Sequence, residues 1–294
     1  MHVSVIFTTY NQPKWLEKVL WGFAVQRHRN FEIIVADDGS GPETRATVDQ
    51  IRQETGMHIN HIWHADNGFQ KSLILNKAIA ATQYDYLVFT DGDCIPAPDF
   101  LEWHVKLAQK SRFLSGGYVK IPLAVSQIIT REDILANRIT NANWLIKHGT
   151  PYSLKLLKFT PNSVIGLILD KLSTTRATWN GHNASTWKEH ILAVNGFDER
   201  MQYGGQDREF GERLHNLGVR GKRIRHRAAC VHLDHPRDYA KPESIAYNRA
   251  IRAETRTKEI IRTAYGIVKE KQPVPDYTHP MPTPLIPKTT YQLR

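Results

Sequence analysis

Short, unbroken apolar runs alternate with amphipathic segments through the first part of the chain. The run VSVIFTT at residues 3–9 has no polar alternation, which predicts a strand buried on both faces. Pro13 then opens a segment in which apolar residues recur at helical spacing. The same order predicts further strands within residues 31–40, 58–63 and 84–93 and helices within residues 41–56, 69–82 and 98–110. This alternation predicts an α/β fold with a mostly parallel central sheet flanked by helices.

Polar clusters follow each of these predicted strands. They are Thr8–Asn11, Asp37–Ser40, His64–Gly68 and Asp91–Asp93. The carboxyl ends of parallel strands meet at one edge of the sheet, and ligands bind outside that edge in open α/β sheets. We therefore expect one ligand site there. His61 and His64, near the end of the third strand, are interpreted as surface residues.

The pattern changes after Gly117. Residues 121–179 are interpreted as helices and loops, and residues 181–217 as a loop rich in glycine and acids that leads into a helix. One or two short strands follow, and then a basic amphipathic helix within residues 242–267. The last stretch, 272–294, holds six prolines and is expected to be an extended or disordered tail.

Composition and charge narrow the class of protein. The 294 residues are 41% hydrophobic and 23% charged, which is ordinary for a soluble globular protein. Two cysteines without a CxxC pair indicate reduced thiols, and the first residues lack the pattern of a signal peptide, so we expect a cytoplasmic protein. The net charge of +10 fits an anionic partner, such as a nucleotide, a nucleic acid or an acidic membrane.

Two aspartates one residue apart end the fourth predicted strand. Asp91 and Asp93 repel each other and lose hydration near a core, so a positive group should offset them. Carboxylates suit Mg²⁺ or Mn²⁺, and such an ion could arrive with the phosphates of a nucleotide. The alternative is a solvated turn around Gly92. Cys94 beside them is a soft ligand or, more simply, a small half-buried filler.

Several motifs, taken in order, resemble those of the inverting family 2 glycosyltransferases of the GT-A fold, over about residues 3–235. The stretches that carry this resemblance are VIFTTYNQPKWLEKVLWGFAVQ, EIIVADDGS, NGFQKSLILNKAI, FTDGDCIPAPDFL, GHNAS and VNGFDERMQYGGQDREFGERL. They are most similar to the β-1,4-galactosyltransferase and bacterial chondroitin polymerase type. The resemblance implies a Rossmann-like GT-A fold with a C-terminal acceptor-binding part.

The resemblance also implies a role for individual residues. Nucleotide-sugar binding falls to Thr8, Tyr10, Asp37, Asp38, Lys71, Asp91, Gly92 and Asp93. The metal ligands would be Asp93 and His232, with His235 as the competing histidine. The sugar and acceptor pocket would hold Trp179, His182, Asn183, Gly205 and Gln206, although core packing is an equal alternative for Trp179, His182 and Asn183.

Asp207 is the residue expected to act as the base. Inverting transfer needs one carboxylate to take the proton of the acceptor hydroxyl, while a metal neutralises the departing diphosphate. Gly204 and Gly205 precede it and allow a sugar to approach the backbone. The alternative is an ordinary helix-capping role. Gln206 stands where the family usually has Glu, which leaves the donor or acceptor preference open.

The expected organisation has four parts. Residues 1–118 would bind the nucleotide-sugar, 119–240 would bind the acceptor and carry the base, 241–271 would form a basic helix and 272–294 the tail. The donor is expected to be a UDP-sugar, with galactose, N-acetylgalactosamine and glucuronic acid as candidates and galactose or its N-acetyl form preferred. The acceptor would be a bacterial surface glycan, a lipopolysaccharide or a lipid-linked glycan.

Other functions fit parts of the sequence less well. A phosphatase-like Asp-x-Asp enzyme is disfavoured because Cys94 follows the pair and the pair ends the fourth strand. A non-catalytic module that binds a nucleotide-sugar is the main alternative. Acids interleave the arginines of 249–262, which argues against a nucleic-acid partner. The basic, apolar stretch 154–172 either covers the acceptor cleft or contacts the inner face of the plasma membrane.

Overall fold

The computed structural model describes residues 1–160, 162–236 and 240–270. The predicted tail at 272–294 lies outside the described residues. The strands are β1 (Val3–Thr9), β2 (Phe31–Asp37), β3 (Ile59–Trp63), β4 (Tyr86–Asp91), β5 (Cys94–Pro96), β6 (Arg112–Ser115), β7 (Gly117–Lys120), β8 (Asn183–Trp187), β9 (Arg220–Arg223) and β10 (Ala229–His232).

Helices of very different length lie between these strands. They are α1 (Pro13–Ala24), α2 (Pro42–Thr55), α3 (Lys71–Ala81), α4 (Phe100–Leu107), α5 (Leu123–Ile128), α6 (Arg131–Leu135), α7 (Ala142–Lys147), α8 (Ser163–Leu172), α9 (Lys188–Ala193), α10 (Gln206–Asn216) and α11 (Pro242–Thr257). Two 3₁₀ turns, Arg138–Thr140 and Leu154–Phe159, complete the middle of the chain. In the part of the chain that the structure describes, no helix is both long and apolar enough to cross a membrane.

The central sheet has seven strands in the order β3-β2-β1-β4-β8-β6-β9. Strand β1 pairs in parallel with β2 and β4, β2 pairs in parallel with β3, and β6 pairs in parallel with β9. Strand β8 runs antiparallel to both of its neighbours, β4 and β6. A smaller sheet has the order β5-β10-β7. The predicted α/β fold with a mostly parallel central sheet is confirmed.

Helices cover both faces of the central sheet, so alternate residues of β1 enter different cores. Val5 and Phe7 pack in one apolar cluster, with Phe23 of α1, while Ile6 packs in the other. All are fully buried. Because neither face of β1 meets water, polar and apolar residues do not alternate along this strand.

Local signals predicted the ends of the first helices and the start of the last helix well, and the C-terminal end of the last helix poorly. Pro13 and Pro42 each begin a helix, and Gly56 ends α2 in the left-handed region at φ +66°. The basic helix was predicted to continue to residue 267, but α11 ends at Thr257 and the chain turns at Glu259, where φ is +49°. That part of the prediction was wrong.

Strand β8 was not predicted, because its residues do not look like a central strand. The stretch is NASTW, and Ser185 and Thr186 are fully buried although polar. The Ser185 hydroxyl forms hydrogen bonds with Tyr86 Oη and His104 Nδ1, both at 2.7 Å. Partners from distant segments therefore satisfy the polar groups of this strand, and periodicity along the sequence cannot reveal them.

A buried ion pair joins α10 to its surroundings. Arg213 donates from Nε and Nη2 to the Glu209 carboxylate at 2.8 and 2.9 Å, and both residues are essentially inaccessible to solvent. Thr255 of α11 also donates to Glu209, at 3.0 Å. The pair thus connects two helices inside the protein.

We expect Arg213→Met to lower the free energy of unfolding by about 3–5 kcal/mol, because it leaves the Glu209 carboxylate buried without its cation. The double variant Glu209→Gln/Arg213→Met removes both charges and should recover a large part of that loss. Urea denaturation followed by circular dichroism measures both. A single variant as stable as the wild type would show that the pair is not needed.

Candidate active site

The carboxyl ends of β1 and β4 form the centre of the site. Thr8 and Asp91 are register partners on these strands, and Thr8 Oγ1 donates to Asp91 Oδ1 at 3.1 Å. The Gly92 amide donates to the Thr8 carbonyl at 2.8 Å, and a Cβ at residue 92 would lie 2.7 Å from that oxygen. Only glycine lets the chain turn this closely against β1.

Lys71, the first residue of α3, supplies a positive charge at this point. Its Nζ donates to Asp91 Oδ1 at 2.7 Å. Burial alone would lower the pKa of Lys71, but the Asp91 and Asp207 carboxylates outweigh burial and raise it. The sequence suggested that a metal ion offsets both aspartates of the Asp91-Gly92-Asp93 turn. In the structure a lysine of the chain itself offsets the first of them.

Asp93 faces two histidines from the end of β10. The antiparallel pairing of β5 with β10 places His232 opposite Cys94. Asp93 Oδ2 lies 3.0 Å from His235 Nε2 and 3.7 Å from His232 Nε2. Burial raises the pKa of Asp93, yet the hydrogen bond from His235 and the two imidazoles lower it overall. Both histidines are therefore within reach of a cation held by Asp93.

Cys94 completes a compact group with Asp93 and His232, whose ligand atoms all lie within 4.8 Å of one another. It is fully buried rather than half-buried as expected, and its Sγ donates to Asp93 Oδ1 at 3.3 Å. Burial and the neighbouring Cys230 thiol raise the pKa of Cys94. The side chain is therefore a neutral thiol at physiological pH, and a carboxylate with two imidazoles is the better donor set for a metal.

Asp207 lies in the first turn of α10 and is directed into the same site. The N-cap position before this helix is Gly205, at φ +99°, and no side chain caps the helix there. Asp207 is therefore not the capping residue. A Cβ at Gly181 would lie 2.8 Å from Asp207 Oδ1, so this glycine makes room for the carboxylate. Among the described residues, Asp207 Oδ1 has no hydrogen-bond partner although it is buried.

The electrostatic surroundings of Asp207 suit a proton acceptor. Burial raises its pKa, Lys71 opposes that shift, and Asp91 adds to it. The carboxylate therefore holds a proton more readily than an exposed aspartate does. The structure brings Asp207, Lys71 and Asp91 together, although they come from three separate regions of the sequence.

The end of β2 presents two aspartates that are held in place by histidines. Asp37 accepts from the Ser40 amide at 2.8 Å and lies 2.8 Å from His61 Nε2. Asp38 lies 2.8 Å from His64 Nε2 and accepts from the Gln70 amide at 2.9 Å. Burial raises the pKa of Asp38, and the contact with His64 opposes this.

The prediction that His61 and His64 are surface residues was wrong, because both are largely buried against these carboxylates. Tyr10, by contrast, is exposed at the rim, and its hydroxyl donates to Asp66 at 2.8 Å. An exposed ring beside two oriented carboxylates is suited to a planar base and a ribose.

Two residues expected in the sugar pocket are part of the core instead. Trp179 is fully buried and packs edge-on against Phe89 and Phe210, so it presents no face to a sugar. Asn183 is also fully buried, and its amide donates to the Gly117 and Ala228 carbonyls at 2.8 and 3.0 Å. For both, the core-packing alternative is the correct one.

Of the other residues expected in the pocket, one faces the site and one shapes the loop beside it. His182 lies near Asp91 and Lys71, burial lowers its pKa to about 4, and its ring centroid lies 4.5 Å from that of Tyr118. Gln206 is buried and accepts from the Gly204 amide at 3.0 Å, so it braces the glycine turn. A Cβ at Gly205 would lie 3.0 Å from Arg252 Cδ. His182 therefore faces the site, while Gln206 shapes the loop that carries Asp207.

Tyr118 and Asp66 were missed by sequence reasoning. Tyr118 contacts both His182 and His232 from β7, a strand that was not predicted. Asp66 lay within the polar cluster after the third strand, and this position was its one signal in the sequence.

Comparison with protein families gives this geometry a context. A family model described as glycosyl transferase family 2 matches residues 4–164. The chain belongs to glycosyltransferase family 2. A second model, described as the N-terminal domain of galactosyltransferase, matches residues 172–236. The family and enzyme class that the motifs indicated are confirmed.

Curated relatives and solved structures agree with this membership. The family 2 chain is 26% identical over 238 residues to a chondroitin synthase of Escherichia coli and 30% identical over 232 residues to a hyaluronan synthase of Pasteurella multocida. Each match covers 74% of this chain but only 32% and 23% of the relative, so the chain spans a third or less of these proteins.

The structural likeness extends further along the chain. The structure of Staphylococcus aureus TarS 1–349 with UDP-GlcNAc superimposes with a TM-score of 0.57 at 17% identity, over 89% of this chain and 70% of that one. A mannosyltransferase of Pyrobaculum calidifontis with GDP-mannose and Mn²⁺ gives 0.56 at 21% identity, over 89% and 64%. These likenesses confirm the GT-A fold.

Proposed function

We propose that the chain is a metal-dependent, inverting glycosyltransferase that moves a sugar from a UDP-sugar to a glycan or lipid-linked glycan. The observation that carries this proposal is the Asp207 carboxylate. Its Oδ1 is buried and has no hydrogen-bond partner among the described residues, beside the Lys71–Asp91 pair at the carboxyl edge of the sheet. A buried oxygen without a partner is costly, and an acceptor hydroxyl would satisfy it.

In this mechanism Asp207 takes the proton of the acceptor hydroxyl as that oxygen attacks the anomeric carbon. One carboxylate suffices, because inversion is a single displacement and the leaving diphosphate needs charge neutralisation rather than a proton. The raised pKa of Asp207 strengthens it as a base. Lys71 stays protonated, so its attraction to the Asp207 and Asp91 carboxylates can keep it in place next to both.

The donor would bind along the ends of β1, β2 and β4. Tyr10 and Thr8 would contact the uracil and ribose. Asp38 would accept a hydrogen bond from the base or the ribose, and Asp37 would support this site. Donors of this chemical class occur in the fold relatives, which were solved with UDP-GlcNAc and with GDP-mannose. The match of residues 172–236 to a galactosyltransferase domain model supports galactose or N-acetylgalactosamine as the sugar.

The metal site would be formed by Asp93 with His232 and His235. A carboxylate and two imidazoles suit Mn²⁺ better than Mg²⁺, which prefers oxygen ligands throughout. A divalent cation bound there would supply positive charge for the diphosphate of the donor. A mannosyltransferase of the same fold was solved with Mn²⁺.

The acceptor proposal follows from the relatives. Two of them are polysaccharide synthases, and a bacterial surface glycan or lipopolysaccharide precursor is the corresponding acceptor. The reaction would take place in the cytoplasm, at the inner face of the plasma membrane. The alternative is a non-catalytic module that binds a nucleotide-sugar. Such a module would bind the donor without turning it over, whereas an enzyme would turn it over.

The direct test is release of UDP by the purified chain from UDP-galactose, UDP-N-acetylgalactosamine, UDP-glucuronic acid, UDP-glucose and UDP-GlcNAc, with Mn²⁺ or with EDTA. We expect Mn²⁺-dependent turnover that is fastest with one of the first two donors. Calorimetry with UDP is run in parallel. Binding of UDP without turnover of any donor would support the non-catalytic module and overturn the proposed activity.

A further inference from the structure

One stretch of the described surface carries large apolar side chains where a globular protein normally has polar ones. Residues 152–160 and 162–172, called here the 152–172 surface, hold many of the exposed large hydrophobic side chains of the described chain. The most exposed are Tyr152 at 79%, Leu172 at 73% and Leu154 at 72%. The exposed apolar members of this surface are Tyr152, Leu154, Leu157, Val164, Ile165, Leu167, Ile168 and Leu172. Exposed apolar side chains grouped in this way are typical of an interaction site.

Helix α8 is oriented with its apolar side outward. Gly166 faces inward, where a Cβ would lie 2.7 Å from the His226 carbonyl oxygen. Asp170, one turn later, is also buried and accepts from Arg227 Nε at 2.8 Å. Val164, Ile168 and Leu172 lie at i, i+4 and i+8 and are exposed. This is the reverse of the usual arrangement, in which the apolar side of a surface helix meets the core.

A side-chain cap defines the beginning of the helix. The Asn162 side chain accepts from the Val164 and Ile165 amides at 2.9 and 3.2 Å. Such a cap satisfies two of the free amides at the start of the helix. The cap therefore defines where α8 begins, while the inward contacts of Gly166 and Asp170 fix which side of α8 faces outward. The apolar exposure is a property of the folded chain.

The charged side chains around this surface are mostly positive. Residues 134–188 contain one acid, Asp170, which is buried and paired with Arg227. The same stretch contains seven lysines and arginines, which are Arg138, Lys147, Lys155, Lys158, Lys171, Arg176 and Lys188. Lys158 is close enough to Arg225 and Lys155 that burial and these cations lower its pKa to about 8. Arg138 pairs with Asp133 at 2.7 Å, so the excess of positive charge comes from the other six. The surface thus combines exposed apolar groups with an excess of positive charge.

The same surface adjoins the active site. A Cβ at Gly117 would lie 2.9 Å from Lys158 Cδ, so the 3₁₀ turn packs directly against β7. The next residue of β7, Tyr118, contacts the His182 ring in the site. An acceptor held at the 152–172 surface would therefore be close to the entrance of the site.

We propose that the 152–172 surface docks on a bilayer that contains anionic phospholipid. Exposed leucine and isoleucine side chains would enter the interface, and lysines such as Lys155 and Lys171 would contact the headgroups. A second copy of the chain is disfavoured as the occupant, because it would bring the same positive charge against this one. The link to a lipid-linked acceptor rests on the proposed function, whereas membrane binding itself does not.

The test is co-sedimentation of the full chain with vesicles, without substrate. Phosphatidylcholine vesicles are compared with vesicles that contain about one third phosphatidylglycerol. We expect binding to the anionic vesicles that weakens as salt is raised, and little binding to the neutral ones. The variant Ile165→Ser/Ile168→Ser should weaken the partition by about tenfold. Lys155→Gln/Lys171→Gln should weaken it by about fivefold for each charge removed.

Leu192→Ser/Val268→Ser is the matched control, because all four substituted apolar side chains are 45–55% exposed. It should bind like the wild type. No binding to anionic vesicles at low salt, or equal losses in the control and the Ile165→Ser/Ile168→Ser variant, would overturn the proposal. So would a dimer in solution that dissociates in the Ile165→Ser/Ile168→Ser variant, since it would identify a second copy as the occupant. Donor hydrolysis measured on the same samples reports separately on the proposed function.

Discussion

Replacing Asp207 by Asn is expected to lower the rate of sugar transfer by about a thousandfold, because the variant keeps the shape of the side chain and loses the proton acceptor. No other carboxylate is placed to substitute for it within the described site. Asp91 is held by Lys71 and Thr8, and Asp93 faces two histidines. The measurement is the single-turnover rate with saturating donor and acceptor.

Binding of UDP separates this effect from a general loss of structure. Asp207→Asn should bind UDP with Mn²⁺ about as well as the wild type, because the proposed nucleotide contacts lie at the ends of β1 and β2. Glu212→Gln is the matched control on α10, since Glu212 is one and a half turns away and pairs with Arg252 at 2.6 Å. It should retain transfer within about threefold. Full activity of Asp207→Asn would remove this residue from the mechanism.

The pH dependence provides a second signature of the same base. Asp207 must be ionised to accept a proton, and burial raises its pKa above that of an exposed aspartate. Activity should therefore fall as pH decreases, and the fall should begin at a higher pH than an exposed aspartate would give. The acidic limb of kcat/KM against pH measures this. A rate that stays constant down to the pKa of an ordinary aspartate would contradict a buried base.

The elements that position the donor end of the site could be predicted because each has a local cause. Strand β1 is apolar at consecutive positions since both of its faces are buried, and Pro42 and Gly56 bracket α2. The resulting parallel strands bring Thr8 and Asp91 together at one edge, as the topology requires. The spacing of residues in the sequence is sufficient to predict such features wherever a single strand or helix determines them.

The environment of single side chains depends on distant segments, and there the sequence was insufficient. Trp179 looked like a platform for a sugar, but the aromatic residues that enclose it come from β4 and α10. His61 and His64 looked exposed, but Asp37 and Asp38 from the neighbouring strand bind them. Polar residues at strand ends look alike in the sequence. Only the packed structure distinguishes residues that face a ligand from residues that orient these ligand-facing side chains.

The metal site leads to the second large effect. Asp93→Asn should weaken the affinity for Mn²⁺ by about a hundredfold or more, since the site would lose its charged ligand while two imidazoles remain. His235→Ala and His232→Ala should each weaken it as well. His235 is expected to have the larger effect, because its Nε2 is nearer to Asp93 Oδ2, at 3.0 Å against 3.7 Å. Calorimetric titration with Mn²⁺ in the presence of UDP measures affinity without requiring turnover.

Cys94→Ala tests the composition of the ligand set. The Cys94 thiol lies among the atoms that could surround a cation, but burial and Cys230 raise its pKa, so it would have to lose a proton at an unfavourable position in order to bind one. We therefore expect Cys94→Ala to bind Mn²⁺ within about threefold of the wild type, well short of the loss caused by removing a ligand. A loss equal to that of Asp93→Asn would make the thiol a ligand, and the preference should then move from Mn²⁺ toward Zn²⁺, because thiolate favours the softer ion.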